Sequence, residues 1–158
     1  MAIIGIVASL GVAGYRNARV RGNETAAVAS LTAINQAQFS FAQICGRGRY
    51  APTLGALGTP MPTSGQSFLS PDLAAGESVE KSGYWITLAG TTAEGVAPAC
   101  TGATPLESYQ ATADPMSPGF TGVRFFGTNT DRVVYQDVAT FLKNMPETGA
   151  PAHGAEIK

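Results

Sequence analysis

The chain has little charge. Only 13% of its 158 residues are charged, against 44% hydrophobic, and the charged share of an ordinary globular protein is about 25%. Disorder needs low hydrophobicity and high charge, so a disordered tail protein is excluded. Lys plus Arg is 10 and Asp plus Glu is 11, so the global basic footprint of a nucleic-acid binder is missing and no nucleic-acid partner is expected. There are two Cys and one His, too few for a four-ligand Cys/His zinc site. No C-x-x-C-H occurs, which excludes attachment of a c-type haem. The Gly46-x-Gly48 pair has no following Lys-Ser/Thr, so it is not a phosphate loop. His153 stands alone near the C-terminus, and Asp114, Asp131, Asp137 and Asn129 lack EF-hand spacing. No catalytic constellation is present. The expectation is a single domain that is not an enzyme, with no cofactor and no metal.

What charge there is lies unevenly. Residues 1–50 carry Arg16, Arg19, Arg21, Arg47 and Arg49 against Glu24 alone, a net +4, and the remainder carries −5. A basic first third suits an anionic membrane surface or head-to-tail contacts between identical subunits. Two solvated surfaces of unequal composition remain the plain alternative.

The longest uninterrupted feature is at the N-terminus. From Met1 to Tyr15 there is no charge. As a helix, residues 2–15 span roughly 21 Å, short of a hydrocarbon core of about 30 Å. The run also lacks the basic start and cleavage site of a secretory signal. Beyond it the apolar pattern continues through Val20, Ala27, Val28, Leu31, Ile34, Phe41 and Ile44 at helical spacing, with Gln38 on the same seam. Residues 2–44 therefore read as one helix, roughly 65 Å long. That is longer than a domain of this size is wide, so one end projects. The projecting end carries Ile3, Ile4, Gly5, Ile6, Val7, Leu10 and Val12 and needs lipid or copies of itself. A buried core helix is the alternative reading.

After the helix, residues 46–82 are rich in Gly and Pro and read as a long loop. Strand-like runs follow: Tyr84 to Leu88, with Tyr84, Ile86 and Leu88 on one face, then Leu106 to Thr112, Val123 to Phe126 and Val133 to Gln136. One helix followed by antiparallel strands predicts an α+β fold: a long N-terminal helix on a three- to four-stranded antiparallel sheet. Leu31, Ile34, Phe41 and Ile44 are expected beneath the sheet. The predicted organisation is a projecting hydrophobic helix over 1–23 and a globular part over 24–143. Within that part lie the helix 24–44, the loop 46–82 and the sheet 83–137. A loose tail over 144–158 completes the chain. Cys45 and Cys100 sit at the helix end and between the first two strands, and are expected to form a disulfide. Such a bridge fits an oxidising compartment outside the cytoplasm.

The run AIIGIVASLGVAGYRNARVRGNETAAVASLTAINQAQFSFA resembles the N-terminal helix of bacterial type IV pilins and type II secretion pseudopilins. Ala2-Ile3-Ile4-Gly5-Ile6, Arg19 to Glu24 and Leu31 to Gln38 carry the likeness. Gly46-Arg47-Gly48-Arg49-Tyr50 with Leu54 and Leu57 is similar to that family's exit from helix to loop. Lys81-Ser82-Gly83-Tyr84 and Ala113-Asp114-Pro115, with Gly119, Gly122, Arg124 and Phe125, resemble strand-opening motifs of pilin-like proteins. The family's basic leader, Gly-Phe cleavage site and early Glu are not in this sequence, so the reading frame is expected to extend upstream of Met1. A basic leader would also offset Arg16, Arg19 and Arg21, which otherwise favour keeping the globular part inside. Ala13-Gly14 stands where many members have Pro-Asn.

The resemblance implies a structural subunit of a type IV pilus or related extracellular filament, self-assembling through its N-terminal helix. It implies inner-membrane lipid as the surroundings before assembly and the pilus or secretion machinery as partner. Copies of the chain in a helical filament at the cell surface would follow. The alternatives are a minor pilin or secretion pseudopilin, or a helix-anchored periplasmic or surface binding domain. Some pseudopilins bind calcium, and Asp114, Asp131 and Asp137 are the acids available for it.

Overall fold

The computed structural model describes the backbone of residues 2–157 and the side chains of residues 14–157. Helix α1 runs over Ala2–Ile44 without a break. Nothing in this stretch stops it: Pro is absent and Ala is frequent. A short helix, α2, follows at Leu54–Gly58, its first turn capped by the Thr53 hydroxyl accepting from the Ala56 amide. The strands are β1 (Ser78–Lys81), β2 (Tyr84–Thr92), β3 (Leu106–Pro115), β4 (Phe125–Asn129), β5 (Val134–Asp137) and β6 (Ala155–Glu156). They form one antiparallel sheet whose spatial order is the order of the chain.

The α+β class with a long N-terminal helix stands, but the sheet has six strands, not three or four. Both additional strands are edges. β1 lies inside the segment read as loop, and β6 inside the segment read as tail. Neither is long enough to show alternation. β1 is joined to β2 by Ser82-Gly83, both at positive φ (49° and 74°), the backbone that a two-residue hairpin turn requires. Lys81 to Tyr84 is thus a hairpin turn between two strands. The segment 46–82 also contains α2, whose Leu54 and Leu57 are fully buried.

One face of the sheet lies on α1. Tyr84, Ile86 and Leu88 of β2, Tyr109, Ala111 and Ala113 of β3 and Phe126 of β4 share one core with Ala27, Leu31, Ile34, Ala37 and Phe41 of α1. Two polar helix residues are built into this seam. Asn35 accepts from Tyr109 Oη (2.9 Å) and donates to Thr128 Oγ1 (2.9 Å). Gln38 donates to Ala51 O (3.0 Å) and accepts from Ala51 N (2.8 Å), holding the chain just after its exit from the helix. Ile44 is not in this core: it is 65% exposed. The buried stripe of α1 passes through Phe41 to Cys45, which leaves Ile44 about 100° off its centre.

The segment after β5 is a strap over the opposite face, not a loose tail. Phe141 and Met145 are buried. Glu147 binds Thr91 N (3.0 Å), Thr91 Oγ1 (2.9 Å) and the Ser108 hydroxyl. Asn129 donates to Pro146 O (3.0 Å) and Gly149 O (2.7 Å), and β6 then closes on β5. Two apolar anchors and a set of backbone hydrogen bonds leave no periodic trace in the sequence, which is why the strap reads there as a tail.

Candidate functional site

The stripe that buries Leu31 and Ile34 continues toward the N-terminus through Glu24, Asn23, Val20 and Arg16. There the sheet has ended, and the loop between β3 and β4, Met116 to Arg124, takes its place. Glu24 marks the change. Its Oε1 accepts from the Val123 and Arg124 amides (3.0 and 3.1 Å), and its Oε2 accepts from Arg124 Nε and Nη2 (2.9 and 2.7 Å). Burial opposes ionisation of this carboxyl. The guanidinium and the two amides outweigh it and hold the pKa below the ordinary value. With both oxygens engaged, Glu24 is a joint between helix and loop. Arg124 spends its other nitrogen on Gln136 Oε1 (2.5 Å), tying the joint to β5.

The loop is rigid. Asn23 Nδ2 donates to Thr121 O (2.8 Å), and Tyr84 Oη donates to Arg124 O (2.8 Å). Burial raises the Tyr84 pKa, so that hydroxyl stays a donor. The Tyr84 phenol lies so close to Gly122 that a Cβ there would sit 1.9 Å from its oxygen, which explains a glycine at this point. Within the loop, Ser117 O accepts from the Phe120 and Thr121 amides (2.9 Å each), and Gly119 N donates to Gly122 O (2.8 Å). At its tip the Arg16 guanidinium stacks over the Phe120 ring, 5.0 Å from the centroid.

Held in this way, the loop still leaves its apolar side chains in solvent. Phe120 is 68% exposed and Val123 52%, and Tyr15 on the adjoining helix is 69% exposed. A cleft of about 650 Å³ lies between helix and loop, lined by Asn17, Val20, Arg21, Glu24, Val123 and Arg124. On the other side of the ion pair is a more apolar crevice of about 310 Å³, walled by Val28, Ala29, Phe126 and Ile157.

Leu31, Ile34 and Phe41 are fully buried, and Ile44 is outside the core. Cys45 and Cys100 are bonded, with Cα atoms 4.9 Å apart, so the chain just before β3 is fastened to the end of α1. Ile3, Ile4, Gly5, Ile6, Val7, Leu10 and Val12 fall in the part of α1 whose side chains lie outside the described residues. The three acids considered for calcium do not converge. Asp114 bonds the Thr140 hydroxyl, Asp131 accepts from Gly149 N (2.7 Å) and Asp137 meets His153 Nδ1 at 2.6 Å. His153 stacks on Phe141, with centroids 4.9 Å apart, and so belongs to the strap. Among the described residues no group of three or more His, Cys, Asp or Glu could hold a metal ion.

Sequence reasoning missed the Glu24–Arg124 joint. The available signal was Glu24 as the lone acid among the arginines of the first fifty residues, in register with the buried stripe. Nothing local marks Arg124 as its partner, because 100 residues separate them. Among the described residues, no helix is long and apolar enough to cross a membrane. No protein-family model, curated protein or solved structure matches the chain.

Proposed function

We propose that this chain is a structural subunit of a type IV pilus or a related extracellular filament, assembled through α1. One observation carries the reading. A single 43-residue helix is covered by its own sheet only from Glu24 onward, while Gly14 to Arg19 and Arg21 are exposed. A helix that continues beyond its own globule, in a sequence that is uncharged from Ala2 to Tyr15, is suited to packing against other copies. Gly5, Gly11 and Gly14 are the small residues that let such helices approach closely. Before assembly the apolar end would rest in inner-membrane lipid, and the pilus or secretion machinery would extract it. A minor pilin or secretion pseudopilin would use the same helix in the same way.

The cleft beside Glu24 favours a second reading, a helix-anchored binding domain at the surface of the cell. Electron microscopy of sheared cell-surface material decides between them. Filaments that contain this chain along their length support the first reading. Monomers left in the membrane fraction, with no filament labelled by an antibody to the globular part, overturn it in favour of the second.

A further inference from the structure

The loop Met116 to Arg124 combines two properties. It is pinned by hydrogen bonds to α1, to β2 and to itself. Yet it keeps Phe120 and Val123 exposed. Apolar side chains held in solvent by a pinned loop are available to a partner, and with Tyr15 beside them they offer a candidate interaction surface. The surroundings indicate what it meets. No Asp or Glu occurs from Met116 to Arg124, and the one acid in the first fifty residues, Glu24, is neutralised by Arg124. Arg16, Arg19 and Arg21 are exposed on the stem. At 3.6 residues per turn, Arg19 and Arg21 lie roughly 60° and 140° to either side of Arg16. They form a collar of cations around the helix instead of a stripe along it. A stripe suits a helix lying on a charged surface, whereas a collar suits a helix passing through one. Phe120 sits level with Arg16. Arg16 is only about 4.5 Å along the axis from Ala13, where the uncharged apolar sequence ends. Tyr15 lies at the same height, and aromatic side chains favour the boundary between acyl chains and headgroups.

We propose that the stem and this loop form a lipid-facing foot, which seats Phe120 at the headgroup boundary of an anionic bilayer while the arginine collar meets the lipid phosphates. The foot rests on the reading of α1 as an anchor. It gives the unassembled subunit a second membrane contact, about 100 residues away from the helix in sequence, that sets how the globular part stands on the bilayer. The cleft between Arg21 and Val123 gives a headgroup room beside the stem.

The test uses the full chain with Trp85→Phe and Phe120→Trp, added to vesicles of phosphatidylcholine with or without phosphatidylglycerol. Flotation measures association, and lipids brominated on the acyl chain report whether the indole reaches the boundary. Expected are flotation with a preference for phosphatidylglycerol, and quenching of the indole in those vesicles. The preference should fall roughly fivefold for each of Arg16→Gln, Arg19→Gln and Arg21→Gln. A chain that floats but whose indole is not quenched overturns the foot and leaves the anchor intact. A chain that floats with neither vesicle overturns the anchor and the foot together. An indole that is shielded in detergent alone, increasingly so as protein concentration rises, overturns the foot by assigning the loop to contact between copies.

Discussion

Helix α1 contains two stretches that are equally helical and differ greatly in circumstance. From Glu24 to Ile44 the helix lies under a sheet, with Leu31, Ile34 and Phe41 fully buried. From Gly14 to Asn23 it lies beyond the sheet, beside the loop between β3 and β4, and most of its side chains face solvent. Pro is absent from both, but residues 14–23 hold one Ala, two Gly and three Arg, where residues 24–44 hold six Ala and no Arg. Both are helical all the same, so propensity, a weak prior, does not set which of them is buried. What changes is the partner. The border is drawn by Glu24, which accepts four hydrogen bonds from the loop and Arg124 at the point where the sheet runs out. The first stretch gains little from its own globule, and whatever orders it beyond propensity has to come from outside.

The largest effect is expected in the covered stretch. Ile34→Asp with Phe41→Asp places two carboxylates under the sheet without partners. Truncating one buried Phe alone costs about 3–5 kcal/mol, against a total stability of roughly 5–15 kcal/mol. The double variant is expected to show no cooperative thermal transition by circular dichroism. A melt like the parent's would erase the distinction between the stretches. Next is the fastening at the helix end. Replacing Cys45 and Cys100 by Ala opens a bridge between positions 55 apart and should cost about 4 kcal/mol on the loop-entropy account. That is a fall of roughly 10 °C in Tm, measured calorimetrically without reductant. An unchanged Tm would mean that Gln38 and Ala51 hold the helix end unaided.

The covered stretch is the more legible one for a physical reason. Burial writes a period into the sequence, and Leu31, Ile34 and Phe41 can be read from it. The period misleads at Ile44, because the stripe finishes on Cys45, where covalent bonding replaces apolar contact. Strands β2 and β3 are long and half-buried, so Tyr84, Ile86 and Leu88 announce a face. β1 and β6 are short edges held by pairing, and the strap is held by single polar contacts such as Glu147 to Thr91. Backbone pairing and isolated hydrogen bonds can be made by almost any residue, so they leave no pattern. The loop that forms the candidate surface looks in sequence like the opening of a strand. The feature that matters, exposed Phe120 on a pinned turn, depends on Tyr84 and Asn23, which are distant in the chain.

The border itself can be tested by charge. Glu24→Gln keeps the shape but turns an amide N–H toward the Arg124 guanidinium. Arg124 is nearly half exposed, so solvent softens the loss, and about 1–3 kcal/mol is expected at neutral pH. The folded pKa of Glu24 lies below its ordinary value of 4.5, so its stabilisation is complete above that value and disappears as pH falls through the lower, folded one. The gap between parent and variant should therefore close in acid. Glu147 and Asp137 are also lowered, while burial raises Asp114, which acts in the opposite sense. All three are common to both proteins and cancel in the difference. A gap independent of pH in urea titrations would show that Glu24 holds the loop by shape instead of charge.

The smallest effect on stability is expected where the helix is largest in extent. Deleting residues 1–21 removes half of α1, yet it should change the free energy of unfolding by no more than about 1 kcal/mol. Little of what holds the globule together goes with it. The stacking of Arg16 on Phe120 is exposed, and such pairs contribute about 0.5–1 kcal/mol. Val20 is only half-buried. The hydrogen bonds that define the border are kept, because Asn23 and Glu24 remain with their partners Thr121, Val123 and Arg124. A compensating effect appears as well. Glu24 would now lie in the first turn of a shortened helix, where a carboxylate is favoured by the helix dipole. If assembly runs through α1 as proposed, self-association is lost in the same variant, because the apolar sequence from Ala2 to Ala13 is gone. Thermal unfolding and sedimentation velocity on one preparation give both answers. A truncated chain that unfolds outright would place the border nearer the N-terminus than Glu24. One that keeps its fold and still associates would move the assembly contact from the helix to the globular part, with the exposed loop around Phe120 as the first place to look.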